Sequence, residues 1–187
     1  MLDVLCQVTN AVWDRNTGPV DEKEYPIRLR NLELRIQRLE QRLTNVDDAD
    51  SPSKLDNDVR RPAQMAELYR LATLIYLDRV ARGTPRSHER VAALLDAAYH
   101  LLREMGTCER PWPLFVIALD ARSEEERKLV LDVMGTVLRD RLRGNMLHAR
   151  RMVQAGWVQQ DFAEQDVDQL FVYNAVISAS KLPPSFT

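Results

Sequence analysis

One segment, residues 108–119, limits the folds open to this chain more than any other. Two prolines flank a tryptophan in Pro111-Trp112-Pro113, and the six residues that follow, 114–119, are all apolar. Proline fixes φ and lacks a backbone donor, which suits the first turn of a helix. A helix that is apolar on every side must be enclosed by other elements. The segment therefore predicts a short, fully buried central helix at about residues 113–122.

The rest of the chain repeats helical spacing of its apolar residues. Six glycines in 187 residues and scattered β-branched residues argue against strands. Gly83 and Gly106 stand where helices end, and Ser123 with Glu126 forms a capping box at a helix start. We predict one all-α domain over residues 1–187, a bundle of about eight helices. Besides the central helix, these lie at about 1–14, 25–46, 62–82, 87–105, 124–143, 145–160 and 167–179.

Residues 47–58 interrupt this pattern with an acidic, Pro- and Ser-bearing stretch, which predicts a linker. The run Asp47-Asp48-Ala49-Asp50 lacks the final aspartate of an Asp-Asp-x-x-Asp magnesium motif. An EF-hand loop counted from Asp48 would have Ser53 in place of glycine and Val59 in place of glutamate. A solvated linker is favoured over a metal site.

Charge and composition argue against several classes of function. The net charge is −2, with 26 basic and 28 acidic side chains, whereas nucleic-acid binding needs a basic face. Cys6 and Cys108 are too few for a disulfide framework or a cysteine-rich zinc module. The sequence contains no run of 18 apolar residues, so no membrane span is predicted. The sequence also has no phosphate loop and no nucleophile elbow. We therefore expect no catalytic residue, no metal and no cofactor, and we predict that the chain is not an enzyme.

The histidines and Cys108 are better explained as structural or surface residues. His88, His100 and His148 have no metal-binding spacing. His100 falls near an apolar face of its helix, so we expect it at the core or its boundary. Cys108, beside the Pro-Trp-Pro turn, is more typical of a buried structural cysteine than of a reactive thiol.

The second helix has a heptad pattern that permits two interpretations. With Leu29 at position a, Arg28 and Arg35 fall at g, and Glu33 and Glu40 at e. In a parallel coiled coil these would pair between two copies of the chain, which gives a homodimer seam. Three heptads are the minimum for a coiled coil, so a stripe that packs on its own bundle is favoured. The candidate seam comprises Arg28, Leu29, Leu32, Glu33, Arg35, Ile36, Leu39, Glu40 and Leu43.

Aromatic and methionine side chains of the third to fifth helices also permit two interpretations. They are typical of plain core, and they also suit an adaptable pocket for a small apolar ligand. The candidate pocket residues are Tyr69, Tyr76, Met105, Trp112 and Phe115.

Three blocks of sequence, residues 66–77, 108–127 and 146–157, carry a family resemblance through their order and spacing. They resemble the C-terminal part of the fungal-specific transcription-factor regulatory domain, which follows the Zn2Cys6 binuclear cluster in many fungal regulators. The chain lacks the six clustered cysteines, so DNA binding does not carry over to it. The resemblance suggests that the chain is the C-terminal part of a larger domain.

The resemblance implies a nuclear, non-enzymatic regulatory or protein-interaction domain of a fungal transcription-factor-like protein. It implies action by helix packing, with a protein partner or a second copy of the chain. Sensing of a small, sterol-like apolar molecule is the alternative. No membrane partner and no direct nucleic-acid contact are expected.

Overall fold

The computed structural model describes residues 2–44, 55–140, 144–162 and 168–179. Within these ranges the chain is helical and contains no strand, which confirms the all-α prediction. A π-helical turn, Leu77–Ala81, continues the third helix. The α-helices are α1 (Leu2–Thr17), α2 (Glu24–Thr44), α3 (Leu55–Tyr76), α4 (Glu89–Met105), α5 (Pro111–Leu119), α6 (Glu124–Asp140), α7 (Gly144–Asp161) and α8 (Gln169–Ala179).

The predicted central helix, α5, is enclosed as expected. Every residue from Pro111 to Leu119 is buried. Both prolines lie in the first turn, where their missing N–H groups would have had no helical acceptor. Helices α3, α6 and α7 pack directly against α5, and α1 and α2 pack on α3 and the π-helical turn farther out.

Three helix ends predicted from local motifs are confirmed. The Glu126 N–H donates to Ser123 Oγ and the Ser123 N–H donates to Glu126 Oε2, both at 3.1 Å, which completes the capping box. Gly106 ends α4 with φ +62°. Gly83 follows the π-helical turn with φ +69°, in the left-handed region that favours glycine.

The start of α3 differs from the prediction. The helix begins at Leu55, so Pro62 lies inside it rather than in its first turn. Residues 55–58 of the predicted linker are therefore helical. Residues 47–54, with the run from Asp47 to Asp50, lie outside the described residues.

The position expected for His100 was wrong. Its side chain is 74% exposed, and its Nε2 lies 3.3 Å from Glu104 Oε1. The buried stripe of α4 passes through Leu95, Ala98 and Leu102, which turns position 100 toward solvent.

Candidate functional site

Four of the five candidate pocket residues meet in one aromatic cluster, together with Tyr173 of α8. Tyr69 stacks on Trp112 with ring centroids 5.7 Å apart, and Tyr76 meets Trp112 edge-on at 6.1 Å. Tyr173 lies 5.3 Å from both Tyr76 and Phe115. Such tilted and stacked contacts contribute about 0.5–1.5 kcal/mol per pair beyond burial. The aromatic rings thus pack against one another and fill the space between α3, α5 and α8.

Met105, the fifth candidate, is the last residue of α4 and packs partly buried against the core. The three clefts described below are not lined by any of the five. A ligand pocket at these residues remains a prediction.

Tyr173 places a hydroxyl group without a hydrogen-bond partner among the described residues in the aromatic cluster. Its hydroxyl is buried and has no hydrogen-bond partner within the described residues. Burial raises the pKa of Tyr173 well above its ordinary value, and burial also raises the pKa of Tyr76 to about 12. Both phenols are therefore neutral at physiological pH. The signal for Tyr173 was its place on the i, i+3, i+4, i+7 face of α8, with Gln169, Val172 and Val176.

The carboxyl end of α5 is the main polar feature of the interior. The last carbonyls of a helix accept no hydrogen bond from within it, and a buried carbonyl without a donor is costly. The N–H groups of Asp120 and Ala121 donate to Ile117 O and Ala118 O, and side chains supply further donors. Trp157 Nε1 donates to Ala118 O at 2.6 Å. Gln160 and Gln169 both donate through Nε2 to Leu119 O, at 2.7 and 3.2 Å.

A third helix reaches the same end of α5. The Tyr99 hydroxyl of α4 donates to Ile117 O at 3.3 Å. Side chains from α4, α7 and α8 thus converge on three successive carbonyls. These bonds fix how the three helices are placed around α5.

A buried ion pair continues this network into the π-helical turn. Arg79 Nε lies 2.8 Å from Asp120 Oδ1, and both side chains are almost fully buried. Arg79 also donates to Thr84 O at 2.7 Å and to Gln169 Oε1 at 3.4 Å. Burial raises the pKa of Asp120, although Arg79 acts in the opposite direction. The pair joins the residue that follows α5 to the π-helical turn and to α8.

The apolar stripe of α2 lies in this chain's own core. Leu29, Leu32 and Ile36 are buried, and Leu39 is partly buried and packs against the core. The side chains of Glu40 and Leu43 lie outside the described residues.

The charged residues of the candidate seam also have partners within the chain. Arg28 pairs with Asp14 at 2.5 Å, and Arg35 pairs with Asp3 at 3.1 Å. Glu33 accepts from Arg82 and from Arg90. The homodimer seam stays a prediction, and forming it would require these contacts to be released.

Glu33 belongs to a half-buried network that ties α2 to the π-helical turn and α4. Arg82 Nη2 lies 2.6 Å from Glu33 Oε2, and Arg90 Nε lies 2.8 Å from Asp78 Oδ2. Burial raises the pKa of Glu33, but hydrogen bonds from Arg82 and Arg90 outweigh it and the pKa is lowered. The carboxylate is therefore charged across the neutral range.

Cys108 is buried, as predicted, and donates to Arg110 O at 3.3 Å. Burial raises its pKa to about 12, which keeps the thiol protonated and unreactive. Among the described residues no three His, Cys, Asp or Glu side chains are grouped closely enough to hold a metal ion. Over the same ranges, no helix combines the length and apolarity needed to cross a bilayer.

The clefts on the described surface include three open grooves. One of about 720 Å³ lies between α1 and α2, and one of about 520 Å³ lies between α6 and α7. The third, of about 750 Å³, is lined by α2, α3 and α4. All three are surface grooves, separate from the aromatic cluster and the carboxyl end of α5.

The chain is similar to known proteins along nearly its whole length. The family model described as the fungal specific transcription factor domain matches residues 1–175. The transcription factor iacI of Pestalotiopsis fici is 29% identical over 188 residues, which cover all of this chain and 45% of that protein. The chain thus spans less than half the length of the curated relative it matches. No solved structure matches it.

Proposed function

This chain belongs to the fungal-specific transcription factor domain family, and from that membership we propose that it is a non-enzymatic regulatory domain that works through protein contacts. As part of a transcription factor it would act in the nucleus. Its role would be to control the output of the longer protein to which such a domain is joined. Binding to a partner protein or to a second copy of the chain would supply that control.

The observation that supports this proposal is the set of side-chain hydrogen bonds to the last carbonyls of α5. Its buried carbonyls are met by side chains of α4, α7 and α8, so the polar groups of the interior hold helices together. A protein partner would therefore bind at the outer surface. Several large apolar side chains are exposed there, among them Trp13, Phe162 and Phe171. Exposed apolar surface favours protein contacts when it is contiguous.

A transcriptional reporter tests the regulatory role. The chain is placed between a heterologous DNA-binding domain and an activation segment, and output is compared with the same fusion lacking the chain. We expect the folded chain to change output severalfold, and Trp157→Ala, which opens the core, to abolish that change. Equal output with and without the chain would refute the proposed function.

Sedimentation equilibrium at micromolar concentration tests the homodimer form of the proposal. A self-associating chain increases in average mass with concentration. A constant monomer mass over that range would remove the dimer and leave a separate partner protein as the binding molecule.

The buried Tyr173 hydroxyl supports a second candidate function, the sensing of a small apolar molecule that carries one polar group. Such a molecule would supply the missing hydrogen bond if the aromatic cluster opened to admit it. A sterol or similar ligand would raise the melting temperature of the wild-type chain, and the rise would shrink in Tyr173→Phe. An equal rise in both proteins, or none in the wild type, would exclude this site.

A further inference from the structure

Helix α8 is held in the bundle by one narrow face. Four side chains on that face are buried: Gln169, Val172, Tyr173 and Val176. They belong to a helix that packs on α7 and on the π-helical turn. Phe171 and Ile177 of the same helix are apolar, yet they are 65% and 41% exposed. Because hydrophobic stabilisation follows the apolar area removed from water, docking leaves part of what α8 could contribute unused.

Gln169, the polar side chain of this face, makes long hydrogen bonds. Its Nε2 lies 3.2 Å from Leu119 O, and Arg79 Nη2 lies 3.4 Å from its Oε1, at or beyond the usual range. Gln160 of α7 donates to the same Leu119 carbonyl at 2.7 Å, and Arg79 donates to Asp120 at 2.8 Å. Both interior groups that Gln169 contacts therefore keep a closer partner when α8 leaves.

The docked position of α8 also buries a hydroxyl group without compensation. Tyr173 OH has no hydrogen-bond partner among the described residues. Water would supply that hydrogen bond if α8 were undocked, so the cost falls on the docked state alone. This hydroxyl therefore favours release of α8.

Two polar contacts join α1 to α8 and its first cap at the surface. Arg15 Nη2 lies 2.6 Å from Asp168 Oδ2, and Asn174 Nδ2 donates to Asn16 Oδ1 at 2.7 Å. The Asp168 side chain is 47% exposed. Ion pairs between solvated side chains contribute little, because water competes for both partners. These contacts orient α8 but add little to its attachment.

Helix α7, on which α8 lies, is attached to the bundle by contacts of its own. Trp157 Nε1 donates to Ala118 O at 2.6 Å in the buried interior. Near the end of α7, Asp161 pairs with Arg127 of α6 at 2.5 Å. None of these four residues belongs to α8, so the attachment of α7 does not depend on it.

We propose that α8 undocks as a unit while the helices beneath it stay folded, and that this movement uncovers the rings of Tyr76 and Phe115. Both rings lie 5.3 Å from the Tyr173 ring, which leaves with α8. Proteins open locally in elements that have few buried contacts, while the rest of the structure remains native. This rests on the proposed sensing of a small apolar molecule, and it names the movement that would admit the molecule to the aromatic cluster.

Labelling of buried thiols by iodoacetamide measures the opening in the full 187-residue chain. Val176→Cys on α8 and Val133→Cys on α6 form a matched pair, because both valines are 2% exposed. The exposed Cys6 is removed in both by Cys6→Ser, and the buried Cys108 reports global unfolding. In native buffer we expect the thiol of Val176→Cys to react at least about tenfold faster than that of Val133→Cys and than Cys108.

A second substitution tests whether the Tyr173 hydroxyl favours the opening. Adding Tyr173→Phe to Val176→Cys should slow its labelling about fivefold, which corresponds to about 1 kcal/mol. Tyr99→Phe removes a hydroxyl from α4 and should not slow it. Amide hydrogen exchange of the unsubstituted chain checks that the cysteine does not create the opening. There the α8 amides should exchange at least about tenfold faster than those of α5.

Four outcomes would overturn the proposal: equal labelling of the two valine variants, labelling unchanged by Tyr173→Phe, the same slowing in Tyr99→Phe, or α8 amides that exchange no faster than those of α5. Labelling needs no ligand, so its result is separate from the sensing function. If α8 opens and no sterol raises the melting temperature, the undocking stands and the sensing function is wrong. If a sterol raises the melting temperature while α8 stays docked, the sensing function stands and the undocking is wrong.

Discussion

Tyr99 and Tyr173 form a matched pair. Removing the side-chain hydroxyl is expected to change the free energy of unfolding in opposite directions at the two positions. Both side chains are buried. The Tyr99 hydroxyl donates to Ile117 O at 3.3 Å, whereas the Tyr173 hydroxyl has no partner within the described residues. Phenylalanine at either position keeps the ring and removes only the hydroxyl.

The size of each effect follows from the hydrogen bond that is present or missing. A buried polar group without a partner costs about 1–3 kcal/mol, while the same group is hydrated in the unfolded chain. Removing it in Tyr173→Phe should raise the free energy of unfolding by about 1 kcal/mol, since ring contacts with Tyr76 and Phe115 persist. Tyr99→Phe should lower that free energy by about 1 kcal/mol, because it removes the hydrogen bonds of the Tyr99 hydroxyl to the Ile117 carbonyl and to Arg86, while the Asp120 N–H still donates to Ile117 O.

Urea denaturation measures both changes. With a slope of about 2 kcal/mol per molar urea, the midpoint should rise by about 0.5 M in Tyr173→Phe and fall by about 0.5 M in Tyr99→Phe. Equal slopes in all three proteins check that the same surface is exposed on unfolding. A midpoint that falls equally in both variants would refute the reasoning, because it would mean that the Tyr173 hydroxyl has a favourable partner.

Three further predictions concern the core, the turns and the pH dependence. Trp112→Ala should lower the free energy of unfolding by about 3–5 kcal/mol in the same assay, and a loss below about 1 kcal/mol would contradict its anchoring role. Gly83→Ala should lower the melting temperature more than Gly106→Ala: both have positive φ, but a Cβ at Gly83 would lie 2.8 Å from Arg15 Nη2 while Gly106 faces open space. Equal losses would show that Arg15 moves aside freely. The lowered pKa of Glu33 means that the unfolded state binds more protons just below the ordinary value of 4.5. The stability that Glu33 contributes is present above that pH and is lost as the pH falls through the folded-state pKa. The free energy of unfolding should therefore decrease less steeply in Glu33→Gln than in the wild type between about pH 6 and pH 3. Parallel curves would show that the network contributes nothing.

Features set by local chemistry were predictable from the sequence. The burial of α5 followed from six successive apolar residues behind the prolines, and no tertiary information was needed. The capping box of Ser123 and Glu126 and the left-handed Gly106 likewise depend on residues a few positions apart. Such features are confirmed because the competing local conformations are few.

Features that depend on distant partners were not predictable. Asp78 and Arg79 look like surface residues in the sequence, yet the π-helical turn buries both, and Arg79 finds Asp120 across the bundle. The spacing of α8 indicates that Tyr173 lies on the buried face, but its ring partners on α3 and α5 are far away in sequence, so the spacing does not place it in the aromatic cluster.

The stripe of α2 shows the same limit in another form. A coiled-coil seam and a helix packed on its own bundle require the same apolar spacing, so the pattern around Leu29 and Ile36 does not distinguish them. In the structure both residues are buried by this chain's own helices. That outcome depends on what lies opposite the stripe, which spacing alone does not encode.

The bonds at the carboxyl end of α5 set an order of events during synthesis. Leu119 receives its second donor from Gln169, fifty positions later. A nascent chain emerges from the ribosome amino terminus first, so the bonding of this carbonyl is complete only after α8 has been made. The hydrogen bonds around Leu119 are therefore completed only after residue 169 has been synthesised.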